Sequence, residues 1–208
     1  MLEISQEQKR LTEQNLRPRI GVLAIQGDYA AHAEALEQCG AEPVEVRKPE
    51  QLNGLMGLIL PGGESTTMLK FLEKRGFFEA LHGFCQTHPV FGTCAGTILL
   101  AREVLHPAQR SLGVLDVAVE RNSYGRQIDS AILTEETALA GGPLEMVFIR
   151  APRILSTGPQ VEVLARRNGD PTLVRQGRVL AATFHPELSH DSRVHRLFVE
   201  MSTGPEAR

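Results

Sequence analysis

Along this chain short apolar runs alternate with stretches in which apolar residues recur every three or four positions, the pattern of strands buried in a parallel sheet and joined by amphipathic helices. Residues 20–25 form a near-continuous apolar run. Gln26-Gly27-Asp28 then turns the chain, with Asp28 placed as an N-cap, into a helix over residues 29–39 that Gly40 stops. Strands are expected at 43–46 and 55–60, with a connector at 49–53. The second of them runs into Pro61-Gly62-Gly63-Glu64-Ser65-Thr66-Thr67, followed by helical spacing through Met68, Leu69, Phe71 and Leu72. A helix over 77–87, a strand ending at Gly92, a helix reaching about residue 105 and a surface connector at 106–111 come next. From residue 112 the apolar runs shorten, at 114–119, 128–133, 146–149, 161–165, 173–174 and 179–184. They are read as partly antiparallel strands added to the parallel sheet, before a last helix at 193–201. Residues 1–19 are polar and read as a disordered or loosely helical extension, and 202–208 as a frayed tail. That leaves one domain over 20–201.

One of these strand-to-helix joints carries a nucleophile. In Phe91-Gly92-Thr93-Cys94-Ala95-Gly96 two glycines flank the cysteine at the spacing that lets a chain fold sharply and push the central side chain out of the sheet. The start of a helix favours negative charge there, and the Ala95 amide is placed to donate to an oxyanion. A small buried cysteine in a strand-to-helix turn would leave the same local pattern. The Gly62-Gly63 loop lacks the Gly-Lys-Ser/Thr ending of a phosphate-binding loop, so its backbone amides suit some other ligand. Parallel strands present such loops at one edge of the sheet.

Composition narrows the chemistry. At 208 residues, 42% hydrophobic and 23% charged, with a net charge of −3, the chain has no basic patch suited to nucleic acid. A small-molecule substrate or a protein partner is expected. Cys39, Cys85 and Cys94 are too few, and odd in number, for a disulfide framework. With no apolar run of membrane-spanning length and no signal-type start, neither a membrane nor secretion is expected, and the location is read as cytoplasmic.

A cysteine nucleophile needs a base, and the base needs an acceptor that holds its orientation. Thr183-Phe184-His185-Pro186-Glu187 supplies both at the end of a late strand, where His185 and Glu187 can reach the edge that carries Cys94. The other histidines, at 32, 82, 88, 106, 190 and 195, form no competing site, and their spacing with the cysteines matches no zinc pattern. No metal and no cofactor are expected.

Gly92-Thr93-Cys94-Ala95-Gly96 taken with Phe184-His185-Pro186-Glu187 resembles the triad-type glutamine amidotransferases. Ile98 departs from the commoner pattern, which has a glutamine there. Leu60–Thr67, the stretch 119–127 and Phe148-Ile149-Arg150-Ala151-Pro152 narrow the resemblance to the glutaminase subunits of pyridoxal phosphate synthases. It covers residues 20 to about 201. It implies a flavodoxin-like three-layer α/β/α sandwich with a mostly parallel central sheet and an added β-rich C-terminal part. It also implies hydrolysis of L-glutamine, with ammonia passed to a (β/α)8 synthase subunit in a large hetero-oligomer. By the same resemblance Cys94 is the nucleophile, His185 the general acid/base and Glu187 its orienting partner. Gly62, Gly63, Glu64, Arg121, Ile149 and Arg150 would bind glutamine, and Ala95 and Gly63 would form the oxyanion hole. Two other readings stand beside it: a cysteine peptidase or another amidotransferase using the same triad on another acyl substrate, and a non-catalytic binding subunit or small stress protein of the same fold in which Cys94 is only a redox-sensitive thiol.

Overall fold

In the computed structural model, which describes residues 17–74, 76–121 and 130–204, the first apolar run becomes strand β1 (Arg19–Leu23). Helix α1 (Tyr29–Gln38) returns the chain to β2 (Glu42–Val46), and a 3-10 turn at Pro49–Leu52 leads to β3 (Gly57–Leu60). Helices α2 (Ser65–Leu72) and α3 (Phe77–Thr87) precede β4 (Val90–Thr93), α4 (Ala95–Leu100) and β5 (Ala101–Leu105). Then come β6 (Leu115–Glu120), β7 (Ala131–Glu135), β8 (Leu144–Phe148), β9 (Arg153–Thr157), β10 (Glu162–Arg167), β11 (Asp170–Gln176) and β12 (Val179–Ala182). Helix α5 (Arg193–Thr203) ends the described chain. Residues 122–127, in the motif that follows Val119, and the start of the strand expected at 128–133 lie outside the described residues.

The main sheet has seven strands in the order β10-β11-β12-β4-β3-β1-β2. The pairs β1/β2, β1/β3, β3/β4 and β4/β12 are parallel, while β10 and β11 extend the edge antiparallel. The parallel part reads 2-1-3-4-12, the flavodoxin-like strand order. Side-chain alternation divides the core into two layers. Leu58 and Leu60 pack with Met68, Leu72, Leu81 and Leu99 of α2, α3 and α4, whereas Ile59 between them packs with Leu36 of α1 and Phe198 of α5. Helices therefore cover both faces of the sheet. Every strand of the parallel part ends at the same edge, and the loops there carry Gln26, Gly62, Cys94 and His185. Among the described residues no helix is long and apolar enough to cross a membrane.

Four expectations change. The helix expected to reach residue 105 stops at Leu100, because the amides of Leu112 and Val114 take the carbonyls of Leu99 and Leu100 and the next five residues pair with β6 as a strand. The late strands are not all added to the main sheet: β5, β6 and β9 form a separate three-stranded sheet, and β7 and β8 a hairpin. Strand β9 was not expected at all, since Arg153-Ile154-Leu155-Ser156-Thr157 buries only Ile154 and so shows no regular alternation. Order also runs past both expected limits. Arg17 donates to the carbonyls of Gly40 and Ala41, and α5 continues through Ser202, which is buried and donates to the Phe198 carbonyl at 2.9 Å.

Candidate active site

Cys94 stands between β4 and α4 with φ 47° and ψ −103°, left-handed backbone that an L residue seldom adopts. The two flanking glycines are steric requirements of that turn. A β-carbon at Gly92 would lie 2.6 Å from the Gly96 backbone, and one at Gly96 would lie 2.0 Å from the Leu60 carbonyl oxygen. The Thr97 hydroxyl, near both the Gly92 carbonyl (3.1 Å) and the Ala182 carbonyl (2.7 Å), ties the elbow to β12, and the Cys94 amide donates to the Ala182 carbonyl at 2.8 Å. Cys94 is 7% exposed, and its sulfur points toward the Ile149 carbonyl, 4.0 Å away.

His185 follows β12, and its amide is anchored on the Val147 carbonyl at 2.8 Å. Its Nδ1 donates to Glu187 Oε1 at 2.7 Å, and the ring faces the Cys94 side chain. Pro186 opens the 3-10 turn Pro186–Leu188, which folds Glu187 back under the ring that precedes it. The three groups assigned to a triad are thus adjacent. Gly62 lies flat against them: a β-carbon there would meet His185 Cε1 at 2.4 Å.

A cavity of about 340 Å³ opens above Cys94 and His185 and is lined by Gly63, Glu64, Arg121, Ile149 and Arg150. Gly63 has φ 137°, and a β-carbon on it would strike Gln26 Nε2, which donates to the Glu64 carbonyl at 3.1 Å. The Glu64 carboxylate turns back on its own helix, accepting from the amides of Thr66 and Thr67 at 3.1 and 2.7 Å. Arg121 donates to the Thr66 hydroxyl at 2.9 Å and lies 3.5 Å from Glu64 Oε1. Ala95 begins α4, so its amide has no partner within the helix. Every residue expected from the resemblance therefore lies at this edge of the sheet.

Sequence reasoning passed over four residues here. Asp28, expected only as an N-cap, makes no capping hydrogen bond and lines the cavity instead. Asp28, His185 and Glu187 bring one possible ligand atom each within 4.8 Å of one another, but His185 Nδ1 and Glu187 Oε1 are already spent on each other. His32 and His195, set aside as forming no competing site, are buried directly behind Glu187, with Thr93 beside them. The signal available was a histidine on the apolar face of each of two helices.

Over residues 22–203 the sequence matches the SNO glutamine amidotransferase family. The chain belongs to that family. A pyridoxal 5'-phosphate synthase subunit PdxT from Koribacter versatilis is 62% identical over 88% of this chain and 95% of its own length. The subunit of the same name from Solibacter usitatus is 56% identical, over 87% of this chain and 97% of its own. A solved structure described as a glutamine amidotransferase superposes with a TM-score of 0.83 at 49% identity, covering 88% of this chain and 98% of that one.

Electrostatics sort the ionisable groups of this amidotransferase. Burial works against a charged His185 ring, yet the hydrogen bonds with Cys94 and Glu187, together with their charges, lift it from 6.5 to about 10. It therefore carries its proton through neutral pH. Burial likewise opposes the Glu64 charge, but the Thr67 hydroxyl and the amides of Thr66 and Thr67 hold it down, from 4.5 to about 2. Burial pushes His32 well below 6.5, aided by His195 and His185, and pushes His195 down to about 4.

Proposed function

We propose that residues 20–201 form one glutaminase domain that hydrolyses L-glutamine to L-glutamate and ammonia through Cys94, His185 and Glu187, and that it passes the ammonia to the synthase subunit that builds pyridoxal 5'-phosphate. The observation that carries the reading is a strained cysteine facing a histidine held 2.7 Å from a buried carboxylate, at the floor of a cavity, in a chain 62% identical to a PdxT subunit.

The Cys94 sulfur attacks the side-chain amide carbon of glutamine, so that a C–S bond forms and the carbonyl oxygen becomes an oxyanion. Amides from Ala95 and the Gly62-Gly63 loop are the proposed donors to it; losing one such donor typically costs about 10²- to 10³-fold in rate. The imidazolium of His185 protonates the amide nitrogen as the C–N bond breaks, and ammonia leaves. His185, now neutral, takes a proton from water, whose oxygen attacks the thioester; the C–S bond breaks and glutamate is released. Glu187 keeps the His185 Nε2 face turned toward the reaction throughout. Arg121 is engaged by Thr66 and Glu64, so Arg150 is the proposed fork for the substrate's α-carboxylate. Ile149 would supply its backbone carbonyl and the apolar wall.

The proposed partner is a (β/α)8 barrel synthase in a hetero-oligomer. Mixing the chain with that synthase and amide-15N glutamine tests the transfer. The label is expected in the synthase product even when a large excess of unlabelled ammonia is present in solution, and glutamate release is expected to rise when the synthase is added. Label diluted to the solution value, with a release rate indifferent to the synthase, would contradict delivery.

A further inference from the structure

The triad has an unassigned side. Glu187 Oε1 accepts the hydrogen bond from His185 Nδ1–H, but Oε2 is fully enclosed and, among the described residues, accepts no well-aligned hydrogen bond. A carboxylate oxygen stripped of water and left without a donor is costly. The group nearest to it is His32 Nε2, at 3.3 Å, and both side chains are 0% exposed. The same Nε2 lies 3.1 Å from the hydroxyl of Thr93, the residue before the nucleophile. On the far side of the ring, His32 Nδ1 lies 3.0 Å from His195 Nε2, and His195 Nδ1 is buried and has no partner among the described residues. Both rings pack edge-on against Phe91 of β4.

These contacts choose the tautomers. Both rings are neutral near pH 7, so each carries one N–H. If His32 held its proton on Nδ1, a bare Nε2 lone pair would face the Glu187 carboxylate. His195 would then carry its own proton on Nδ1, as a buried donor with nothing to donate to. With both protons on Nε2, His195 donates to His32 Nδ1, and His32 Nε2–H is directed at Thr93 Oγ1, with Glu187 Oε2 3.3 Å from the same nitrogen. Among the described residues only acceptors, His195 Nδ1 and Glu187 Oε2, then lack an aligned donor, and a buried lone pair without a donor is the lesser defect.

We propose that His32 is a positioning residue of the triad: its Nε2–H, hydrogen-bonded to Thr93 Oγ1, presents its positive end beside the rear oxygen of Glu187 and steadies that oxygen by charge and dipole attraction, and His195, reaching across from α5, fixes the tautomer that makes this possible. The proposal rests on the reading of Cys94, His185 and Glu187 as the hydrolytic triad. The groups that face His32 are His195 from α5, Thr93 from β4, and His185 and Glu187 after β12, with Asp28 at the start of its own helix nearest the latter two. With the rear oxygen released, Glu187 is free to swing away from His185, and the proton that His185 needs for the leaving ammonia is held less tightly.

The test compares wild type, Cys94→Ala, His32→Met, His32→Gln and His195→Phe, each assembled with the synthase, by kcat and KM for L-glutamine across pH and by thermal midpoint. Activity in wild type and none in Cys94→Ala establishes the triad reading; equal activity in the two sinks that reading before His32 is considered. Methionine matches the length of the side chain without a donor, and glutamine places an N–H near the position of Nε2. His32→Met is expected to lower kcat about 10- to 100-fold, the usual effect of removing an orienting partner behind a catalytic group, with KM held within about twofold. Its basic limb is expected to move toward neutral pH, and His32→Gln to recover most of the loss. A folded His32→Met with wild-type kcat and pH profile would overturn the proposal, as would equal impairment in the Met and Gln variants. If His32→Met does not fold, His195→Phe decides: it keeps a ring in the space but removes the donor to His32 Nδ1. Lowered kcat at unchanged KM supports the proposal, and wild-type kcat overturns it.

Discussion

Cys94 is held at φ 47°, a conformation that costs an L residue about 1–3 kcal/mol and persists only where its surroundings enforce it. The enforcing contacts are specific: the bare Cα atoms of Gly92 and Gly96, the Thr97 hydroxyl on two carbonyls, and the Cys94 amide on β12. His185 carries the clearest residue-level prediction. Its folded value of about 10 lies above the ordinary 6.5, so protonation favours the folded state. The stabilisation is complete below about pH 6.5 and is lost as pH rises through about 10. Urea unfolding of wild type and His185→Gln over that interval is expected to show an advantage for wild type that shrinks with rising pH. An advantage that stays constant would mean that His185 is not held protonated by Cys94 and Glu187.

Among the elements, α2 matters most to the site, because its start sets the loop carrying Gly62 and Gly63. Glu64 is its N-cap, accepting from the amides of Thr66 and Thr67, and Arg121 closes the same end. Its carboxylate sits at about 2 when folded and 4.5 otherwise, so the stabilisation is present above about pH 4.5 and fades as pH falls toward 2. The side chain is 57% exposed, so water screens part of the effect. Glu64→Ala is expected to cost about 1 kcal/mol of stability at neutral pH, the usual worth of an N-cap, and less at each step down in pH. Denaturant titrations at neutral and acid pH measure this, and an equal loss at both would remove the cap as the cause. The same residue shows how a motif can be legible while its use is not. Pro61-Gly62-Gly63-Glu64 marks the pocket in sequence, but only the structure turns the carboxylate toward its own helix. Helix α4 failed for a different reason. Ala, Leu and Val read equally well as helix or strand, and what stops α4 at Leu100 is pairing with β6, which lies more than ten residues further on.

Across the whole molecule, the parallel order 2-1-3-4-12 gathers the loops after β1, β3, β4 and β12 on one edge, and that gathering makes a site from residues as distant as Cys94 and His185. The alternation of buried strands and amphipathic helices made this fold readable, and the glycines around Cys94 together with His185-Pro186-Glu187 made the meeting of Cys94, His185 and Glu187 readable. His32 and His195 were not readable, being 163 positions apart and each meeting the site only because α1 and α5 cover the same face of the sheet. Asp28 was misread on local grounds, since Asp before a helix usually caps it. Cys94 is the residue on which the proposed hydrolysis depends most directly. Glutamate release from L-glutamine should be measured for wild type and Cys94→Ala, each assembled with the pyridoxal phosphate synthase partner. Release by wild type and none above background by the variant is the predicted result; equal release by both would contradict the assignment of Cys94 as the nucleophile.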